Sequence, residues 1–201
     1  IVASLVGSEM CIRDRPRFLA FAIPFGWILD PKKFDTGIDL AISKIKRISP
    51  ESVDPRVKNY HWLDLVNGMF EAYDRGHYTA VLVDEENNVL EGPGFNIFSL
   101  DENGLKTPKI GVLEGITRQT AIRLASELDI PVQEKSIGSE EFINSDEAFA
   151  TSTAGGIIPI TKINGKKINN GKIGKVTSLL KNLYWEKHTD SQWSQSVDEL
   201  I

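Results

Sequence analysis

Two charged side chains in the middle of the sequence could act on the two ends of an aromatic aldehyde. Lys58 opens the segment KNYHW (58–62), and Glu91 opens the segment EGPGFNIF (91–98). A lysine amine attacks an aldehyde to form an imine, and a carboxylate binds a protonated ring nitrogen so that the ring becomes an electron sink. Together the two residues would serve a pyridoxal cofactor.

Each of these residues also has a purely structural interpretation. Lys58 lies between a proline-containing linker and a predicted helix, where enclosure would lower the pKa of a lysine amine and favour its attack. Most lysines are instead solvated at the surface. Glu91 is predicted to end a strand, and the glycines after it would let a ring approach the backbone. The alternative for Glu91 is an exposed acid in a tight turn.

Two further segments could hold an anion. The sequence GITR (115–118) opens a predicted helix, where unbonded N–H groups bind a phosphate well and the Thr117 hydroxyl adds a donor. The sequence TSTAGG (151–156) follows a predicted strand and supplies three hydroxyls and two glycines. An ordinary threonine cap and a structural turn are the respective alternatives.

The order and spacing of six short segments resemble those of the class IV aminotransferases, the fold type IV pyridoxal-phosphate enzymes. The segments are KNY (58–60), EGxGxNIF (91–98), TP (107–108), GITR (115–118), DExF (146–149) and TAGGIxP (153–159). The resemblance covers residues 16–190. It implies the large C-terminal domain of these enzymes, an α+β pseudo-barrel of hairpin strands with packed helices.

The resemblance also implies a role for each candidate residue. Lys58 would be the catalytic lysine, which binds pyridoxal 5'-phosphate as an aldimine and carries a proton between substrate and cofactor. Glu91 would bind the pyridine nitrogen. Ile116, Thr117 and Thr153 would bind the cofactor phosphate.

The substrate pocket is less fully specified. The resemblance places Ala154 and Gly155 near the substrate, and Tyr60 and Trp62 beside the ring pocket. The short spacing from Lys58 to the Asn-Tyr pair, together with TAGG, is closer to the amine-transaminase branch than to the familiar branched-chain enzymes. No metal site is implied.

The implied reaction moves an amino group from a branched-chain-like amino acid or an (R)-amine to a 2-oxo acid, in a homodimer. One alternative is a lyase of the aminodeoxychorismate lyase type, which would release pyruvate. Another is an inactive, truncated fragment that no longer holds the cofactor.

Hydrophobic periodicity and turn residues predict a mixed α+β order of elements and not a doubly wound parallel sheet. Gly76 and Thr117 are predicted as helix caps. The predicted strands are Arg17–Leu29, Asp39–Ile48, Tyr78–Val83, Asn96–Leu100, Leu105–Thr107, Pro131–Glu134, Asp146–Thr151 and Ile157–Ile163, and the predicted helical segments are Tyr60–Arg75, Thr117–Leu128, Ser139–Asn144 and Lys175–Trp185.

Four segments are predicted along the chain. Residues 1–15 are similar to a translated adaptor sequence and are interpreted as an artefact. Residues 16–49 would be remnant strands of a small N-terminal domain that is otherwise missing. Residues 50–190 would form the cofactor-binding domain, and residues 191–201 a polar tail.

The bulk composition restricts the class of protein. The 201 residues carry a net charge of −5, which disfavours a nucleic-acid surface. A single cysteine cannot form an internal disulfide. No apolar run approaches the ~18 residues of a membrane span, and no targeting signal is recognised. These features predict a cytoplasmic protein with small-molecule partners.

Overall fold

The structure is a computed structural model that describes residues 2–4, 19–21, 23–24 and 26–196. Its strands are β1 Val2–Ser4, β2 Leu19–Phe21, β3 Ile38–Lys46, β4 Thr79–Val83, β5 Glu91–Gly92, β6 Phe95–Asp101, β7 Gly104–Thr107, β8 Val132–Glu134, β9 Glu147–Ser152, β10 Gly156–Ile163 and β11 Lys166–Lys167. Its α-helices are α1 Lys33–Thr36, α2 Leu63–Asp74, α3 Ile116–Glu127, α4 Ser139–Ile143 and α5 Lys175–Glu186.

Nine of the strands form one mixed, curled sheet. Its order is β4-β3-β10-β9-β6-β7-β8, with β11 on β10 and β5 on β6. The pairs β3–β4, β3–β10 and β7–β8 are parallel, and the remaining pairs are antiparallel. The α+β fold class is therefore confirmed.

Successive side chains of a strand point to opposite faces of the sheet, so they belong to separate apolar layers. On β9, Phe149 packs with residues of α3 and α5, whereas Ala150 belongs to the cluster on the opposite face. Helix α2 covers β3 and β4 through Leu65 and Ala72. Because β4 is covered on both faces, its five residues are all buried.

Most of the predicted elements are present, and one cap is confirmed in detail. Gly76 follows α2 with φ +79°. Its N–H donates to Tyr73 O at 2.9 Å, and the His77 N–H donates to Ala72 O at 2.8 Å. These two bonds are a Schellman motif, which needs a left-handed residue at this position.

Three predicted boundaries are wrong. Among the described residues of the strand predicted for Arg17–Leu29, only Leu19–Phe21 is a strand, and a bend lies at 28–29. Pro24 cannot donate to a ladder, which accounts for the loss of strand after it. Helix α2 begins at Leu63 and not at Tyr60. Thr117 is not the cap of α3, since Gly115 is the N-cap and Thr117 lies inside the first turn.

The strand β3, predicted as part of a small-domain remnant, lies between β4 and β10 in the large sheet. The division at residue 49 stays a prediction, but this strand pairs with the same sheet that carries the rest of the chain. Of residues 1–15, only Val2–Ser4 is described, paired with β2. The artefact interpretation otherwise falls outside the described residues.

The polar tail packs on the domain through one aromatic residue. The Trp193 ring lies under the Arg123 guanidinium, 3.9 Å from its central carbon, and packs against the cluster of α3 and α5. The polar-tail boundary at residue 191 stays a prediction. Residues 197–201 fall outside the described residues.

Helix α5 is capped by a side chain distant in sequence. Its N-cap residue, Gly174, has no side chain, and the Glu147 carboxylate accepts hydrogen bonds from Val176 N, Thr177 N and Thr177 Oγ1 at 3.2, 2.8 and 2.8 Å. A Cβ at Gly174 would overlap the Glu147 carboxyl group. The carboxylate replaces the missing cap and ties α5 to β9.

We predict that Gly174→Ala destabilises the protein more than the matched change Gly138→Ala. Both glycines are N-caps with extended backbones, but a Cβ at Gly138 meets nothing within 4 Å. Gly138→Ala should cost only the cap preference, about 0.5–1 kcal/mol. Gly174→Ala should cost about 1–3 kcal/mol more, the usual penalty of over-packing.

Chemical denaturation monitored by tryptophan fluorescence measures both changes in the free energy of unfolding. Equal losses in the two variants would show that Glu147 does not act as the cap of α5.

Candidate active site

The Glu91 carboxylate is the buried centre of the candidate site. Glu91 is 6% exposed and begins the short strand β5, which pairs with β6. Its Oε2 accepts a hydrogen bond from Leu113 N at 2.9 Å. Its Oε1 accepts from Arg47 Nε at 3.2 Å and Arg47 Nη2 at 3.1 Å. The alternative of an exposed acid in a turn is therefore wrong.

Burial sets the protonation behaviour of this acid. Desolvation raises the pKa of Glu91 above its usual range, and it outweighs the opposing effects of the Leu113 N–H and the Arg47 charge. A carboxyl group with a raised pKa exchanges a proton more readily with a basic partner near neutral pH. A pyridine nitrogen is a basic partner of this kind.

The start of helix α3 lies directly beside Glu91. Leu113, whose N–H binds Glu91, also accepts a hydrogen bond at its carbonyl from Asn96 Nδ2 at 2.8 Å. Gly115 then caps α3 without a side-chain cap bond. A helix start leaves backbone N–H groups without intrahelical partners, and these groups can bind an anion.

The two predicted phosphate ligands at this helix start differ in exposure. Ile116 is 84% exposed, whereas Thr117 is buried. Burial raises the pKa of the Tyr184 phenol, and the nearby Thr117 hydroxyl opposes that effect. Tyr184 of α5 therefore lies close to the first turn of α3.

The hydroxyl-rich loop joins β9 to β10 next to the same helix start. Thr151 at the end of β9 is the cross-strand neighbour of Asn96, which contacts Leu113. Thr153 is exposed, Ala154 O accepts from Ile28 N at 2.9 Å, and Gly155 is buried. The strand register thus places the second predicted anion-binding segment near the first.

Lys58 lies in the loop between β3 and α2. Its side chain is exposed and makes no hydrogen bond or ion pair with the part of the chain that the structure describes. The enclosure predicted for Lys58 is therefore absent among these residues. The pKa of Arg56 is raised, chiefly by its ion pair with Asp54 and also by the charge of Glu114. The loop therefore passes within electrostatic range of the residue before Gly115.

The far end of this loop is also close to the site. A Cβ built on Gly94 would lie 3.7 Å from the Trp62 ring and 3.6 Å from the Ile28 side chain. Ile28 in turn contacts the Gly155 loop. Trp62 and Ile28 therefore both lie beside the turn after Glu91, and Ile28 also contacts the hydroxyl-rich loop.

Hydrogen bonds and strand register place Glu91, the turn before α3 and the end of β9 side by side, and Ile116, Thr117, Thr153, Ala154 and Gly155 follow these points along the chain. Lys58 lies on a separate loop. The donors present fit a phosphorylated pyridine aldehyde. Glu91 matches the ring nitrogen, and the start of α3 matches a phosphate. The buried Thr151 hydroxyl has no hydrogen-bond partner among the described residues, so a polar atom remains available at this site.

A buried arginine fixes the position of helix α3. Arg118 is 1% exposed and donates to Pro108 O at 2.9 Å and Glu134 Oε2 at 2.6 Å. Its Nε also donates to Thr107 Oγ1 at 3.3 Å. These bonds hold the first turn of α3 against the end of β7. They give a physical reason for the pairing of TP (107–108) with GITR (115–118).

Sequence reasoning missed two charged residues of the site, Arg47 and Asp64. Arg47 was included in a predicted strand, and its type gave no signal of burial, because arginine is usually exposed. Asp64 lies in the first turn of α2, where an acid is common for helix-dipole reasons alone. Their roles require the tertiary contacts.

We predict that Glu91→Gln and Glu71→Gln change the pH dependence of stability with opposite signs. Because the pKa of Glu91 is raised in the folded state, its contribution is complete below the ordinary glutamate pKa of about 4.3 and is lost as pH rises through the raised pKa. Glu91→Gln should therefore gain stability relative to the unsubstituted chain as pH rises.

Glu71 is the control because its pKa is lowered. Burial alone would raise that pKa, but hydrogen bonds from Ser43, Lys44 N and Arg75 together lower it. Its contribution is present above the ordinary pKa and is lost as pH falls, so Glu71→Gln should lose relative stability as pH rises. Urea unfolding across the acidic to neutral range measures both slopes, and slopes of the same sign would contradict the prediction.

Among the described residues, no helix has the length and apolar character needed to cross a membrane.

The family model for amino-transferase class IV matches residues 8–163. A Methanocaldococcus jannaschii protein assigned as a branched-chain-amino-acid aminotransferase is 33% identical over 185 residues, which cover 91% of this chain and 62% of that protein. The chain spans 54% to 62% of the length of the first curated relatives that it matches.

Solved structures agree with the family model. The branched-chain aminotransferase of Thermoproteus uzoniensis with norvaline has a TM-score of 0.81 and 32% identity, covering 95% of this chain and 65% of that one. The branched-chain amino acid aminotransferase of Thermobaculum terrenum, in its PLP form, has a TM-score of 0.74 and 32% identity, covering 79% and 53%. The matched residues include every candidate residue from Lys58 to Gly155, and the chain belongs to the class IV aminotransferase family.

Proposed function

We propose that this chain is a pyridoxal-phosphate-dependent aminotransferase that moves an amino group from a branched-chain-like amino acid to a 2-oxo acid. The observation that carries the proposal is the buried Glu91 carboxylate, which shares the Leu113 backbone with the start of α3. An acid for a ring nitrogen is therefore bonded to the turn that leads into an anion-binding helix start. The names of the relatives support the substrate class.

Bound pyridoxal phosphate supplies an aldehyde that captures an amine and a ring that accepts the electron pair released at the α carbon. In the proposed site Glu91 holds the ring nitrogen in its protonated form. Its own position is fixed by Leu113 and Arg47, so it need not reorganise when charge develops. Lys58 would supply the nucleophilic amine and would hold the proton that leaves the substrate α carbon.

The phosphate would be bound by the backbone N–H groups of Ile116 and Thr117 and by the Thr153 hydroxyl. The exposure of Ile116 and Thr153 supports this assignment, because both residues are open to a ligand. Ala154 and Gly155 would contact the substrate. Gly155 supports this role because its missing side chain leaves the loop close to Ile28.

Two finer features of the proposal concern the substrate and the assembly. An (R)-amine is the second amino donor, favoured by the short spacing from Lys58 to the Asn-Tyr pair.

A homodimer is supported by exposed apolar side chains around the Lys58 loop, which a second subunit would cover. These are Val57, Tyr60, Trp62, Leu63, Ile110 and Ile116. The cytoplasmic location stays a prediction from the sequence.

We predict that Lys58 is the residue that binds the cofactor covalently. Borohydride reduction of the purified chain with pyridoxal phosphate should attach the cofactor to Lys58. Trypsin should then cleave after Arg56 but not after Lys58, because the modified side chain is no longer a substrate. Peptide mass mapping measures this, together with a visible-edge absorbance band that Lys58→Ala removes.

Lys172→Ala is the matched control, because Lys172 is also an exposed lysine in a loop before a helix. It should leave the band and the map unchanged. Attachment spread over several surface lysines, or an unchanged band in Lys58→Ala, would contradict the assignment of Lys58.

We predict transfer and not elimination as the reaction. Leucine with 2-oxoglutarate should yield glutamate only when pyridoxal phosphate is present. Lys58→Ala should lower the rate by at least about 10²-fold, the usual loss when a positioned proton-transfer group is removed. Coupled assay of glutamate measures this, and an (R)-amine donor in parallel tests the second substrate.

The outcomes of that assay separate the candidate activities. A parallel incubation with aminodeoxychorismate and no amino acceptor tests the lyase, because neither leucine nor an (R)-amine carries a group that can leave as pyruvate. Pyruvate formed there would favour the lyase and contradict the transferase. A chain that binds the cofactor but forms neither product would show that the described residues hold the cofactor without completing the catalytic site.

A further inference from the structure

The loop that carries Lys58 is closed at its two ends by one carboxylate. Asp64, in the first turn of α2, accepts a hydrogen bond at Oδ2 from Ile48 N at 2.7 Å and from Arg47 Nη1 at 2.6 Å. Arg47 and Ile48 directly follow β3. Residues 49–62 therefore leave and return to the same point of the structure.

The same guanidinium also holds the acid of the proposed site. Arg47 Nε and Nη2 both donate to Glu91 Oε1, at 3.2 and 3.1 Å. The side chains of Arg47 and Glu91 are each 7% exposed, and that of Asp64 is 15% exposed. One buried cation thus joins the base of the Lys58 loop to Glu91.

We propose that Arg47 is a positioning residue that fixes the Lys58 loop relative to Glu91, with Asp64 as its anchor on the loop side. The inference rests on the proposed function, in which Lys58 and Glu91 act on opposite ends of one cofactor. Arg47 itself contacts neither end. Its planar fork directs Nη1 to one carboxylate and the Nε–Nη2 edge to the other.

The planar geometry of the Arg47 guanidinium distinguishes a positioning role from a role as a mere counter-charge for Asp64 and Glu91. A buried ion pair adds little net stability, because the cost of desolvation offsets the attraction. A lysine at position 47 would keep the charge but, as a compact ammonium, would not present two fixed edges. Arg47→Lys therefore tests the connection between the two carboxylates and not the presence of a positive charge.

Arg75 provides a matched control at the other end of α2. Its guanidinium binds Glu71 Oε1 at 2.9 Å, Asn164 Oδ1 at 3.0 Å and Ile42 O at 3.1 Å, so it also joins separate elements. It has no contact with Asp64 or Glu91 among the residues described. Arg75→Lys should therefore loosen the fold in a similar way without releasing the Lys58 loop.

The first measurement uses the purified full chain without cofactor. Trypsin cleaves after Arg56 and Lys58, both exposed in the loop, and an arginine-to-lysine change preserves the tryptic sites elsewhere. Cleavage at these two sites should be about tenfold faster or more in Arg47→Lys and in Asp64→Asn, the factor for losing one hydrogen bond to a charged group. Arg75→Lys should leave that rate unchanged.

The second measurement is the dissociation constant for pyridoxal phosphate, read from the absorbance band of the same proteins. Arg47→Lys and Asp64→Asn should weaken binding about tenfold or more, by the same reasoning, while Arg75→Lys should not. Asp64→Asn leaves Arg47 and Glu91 in place, so it remains informative if Arg47→Lys fails to fold.

The outcomes distinguish this inference from the proposed function. Equal loop cleavage and equal cofactor affinity in the Arg47, Asp64 and Arg75 variants would overturn the positioning role. If the unsubstituted chain binds no cofactor, the proposed function fails, and the cleavage rates still decide the loop closure. Faster cleavage in the Arg47 and Asp64 variants then supports the positioning role, and unchanged cleavage overturns it.

Discussion

The buried negative charge of Glu91 is the constraint on which the arrangement of the site depends. A carboxylate taken out of water is costly unless fixed donors replace its hydration. Here the donors come from the end of β3, through Arg47, and from the turn before α3, through Leu113. Two segments distant in sequence must therefore meet at β5. The start of α3 and the base of the Lys58 loop converge for this reason.

The sheet determines on which side this convergence occurs. On one face of β6 and β9, the stacked rings of Phe98 and Phe149 pack with α3 and α5. Two residues further along each strand, in opposite directions, the same face carries Asn96 and Thr151. The change from aromatic to polar side chains marks the end of the apolar core. The anion-binding loops begin at that point.

Local features of this fold were predictable because their causes are local. The hairpin around Gly104, the cap at Gly76 and the helix after Gly115 follow from glycine positions and periodicity that lie within a few residues. Glu91 became a candidate site residue through the glycines beside it and the family resemblance. Its burial could not be, because the atoms that bury it belong to Arg47 and Leu113.

The features that sequence reasoning did not anticipate depend on contacts between residues distant in sequence. Thr117 has the residue type of a cap, but it lies buried inside the first turn near Tyr184 of another helix, so tertiary packing overrides the local preference. Trp193 lies in a polar sequence, yet it packs on Arg123. In both cases the deciding partner is more than sixty residues away in sequence, where periodicity and propensity carry no information.

The two halves of the candidate site differ in how completely the described residues enclose them. On the ring-nitrogen side every oxygen of Glu91 has a donor, and the acid is nearly inaccessible to water. On the lysine side Lys58 is exposed, and so are Tyr60 and Leu63. Water at an active site weakens electrostatic interactions and competes for reacting groups. Enclosure of Lys58 therefore requires further atoms, and the bound cofactor and the proposed second subunit are the two sources that the chemistry of this surface fits.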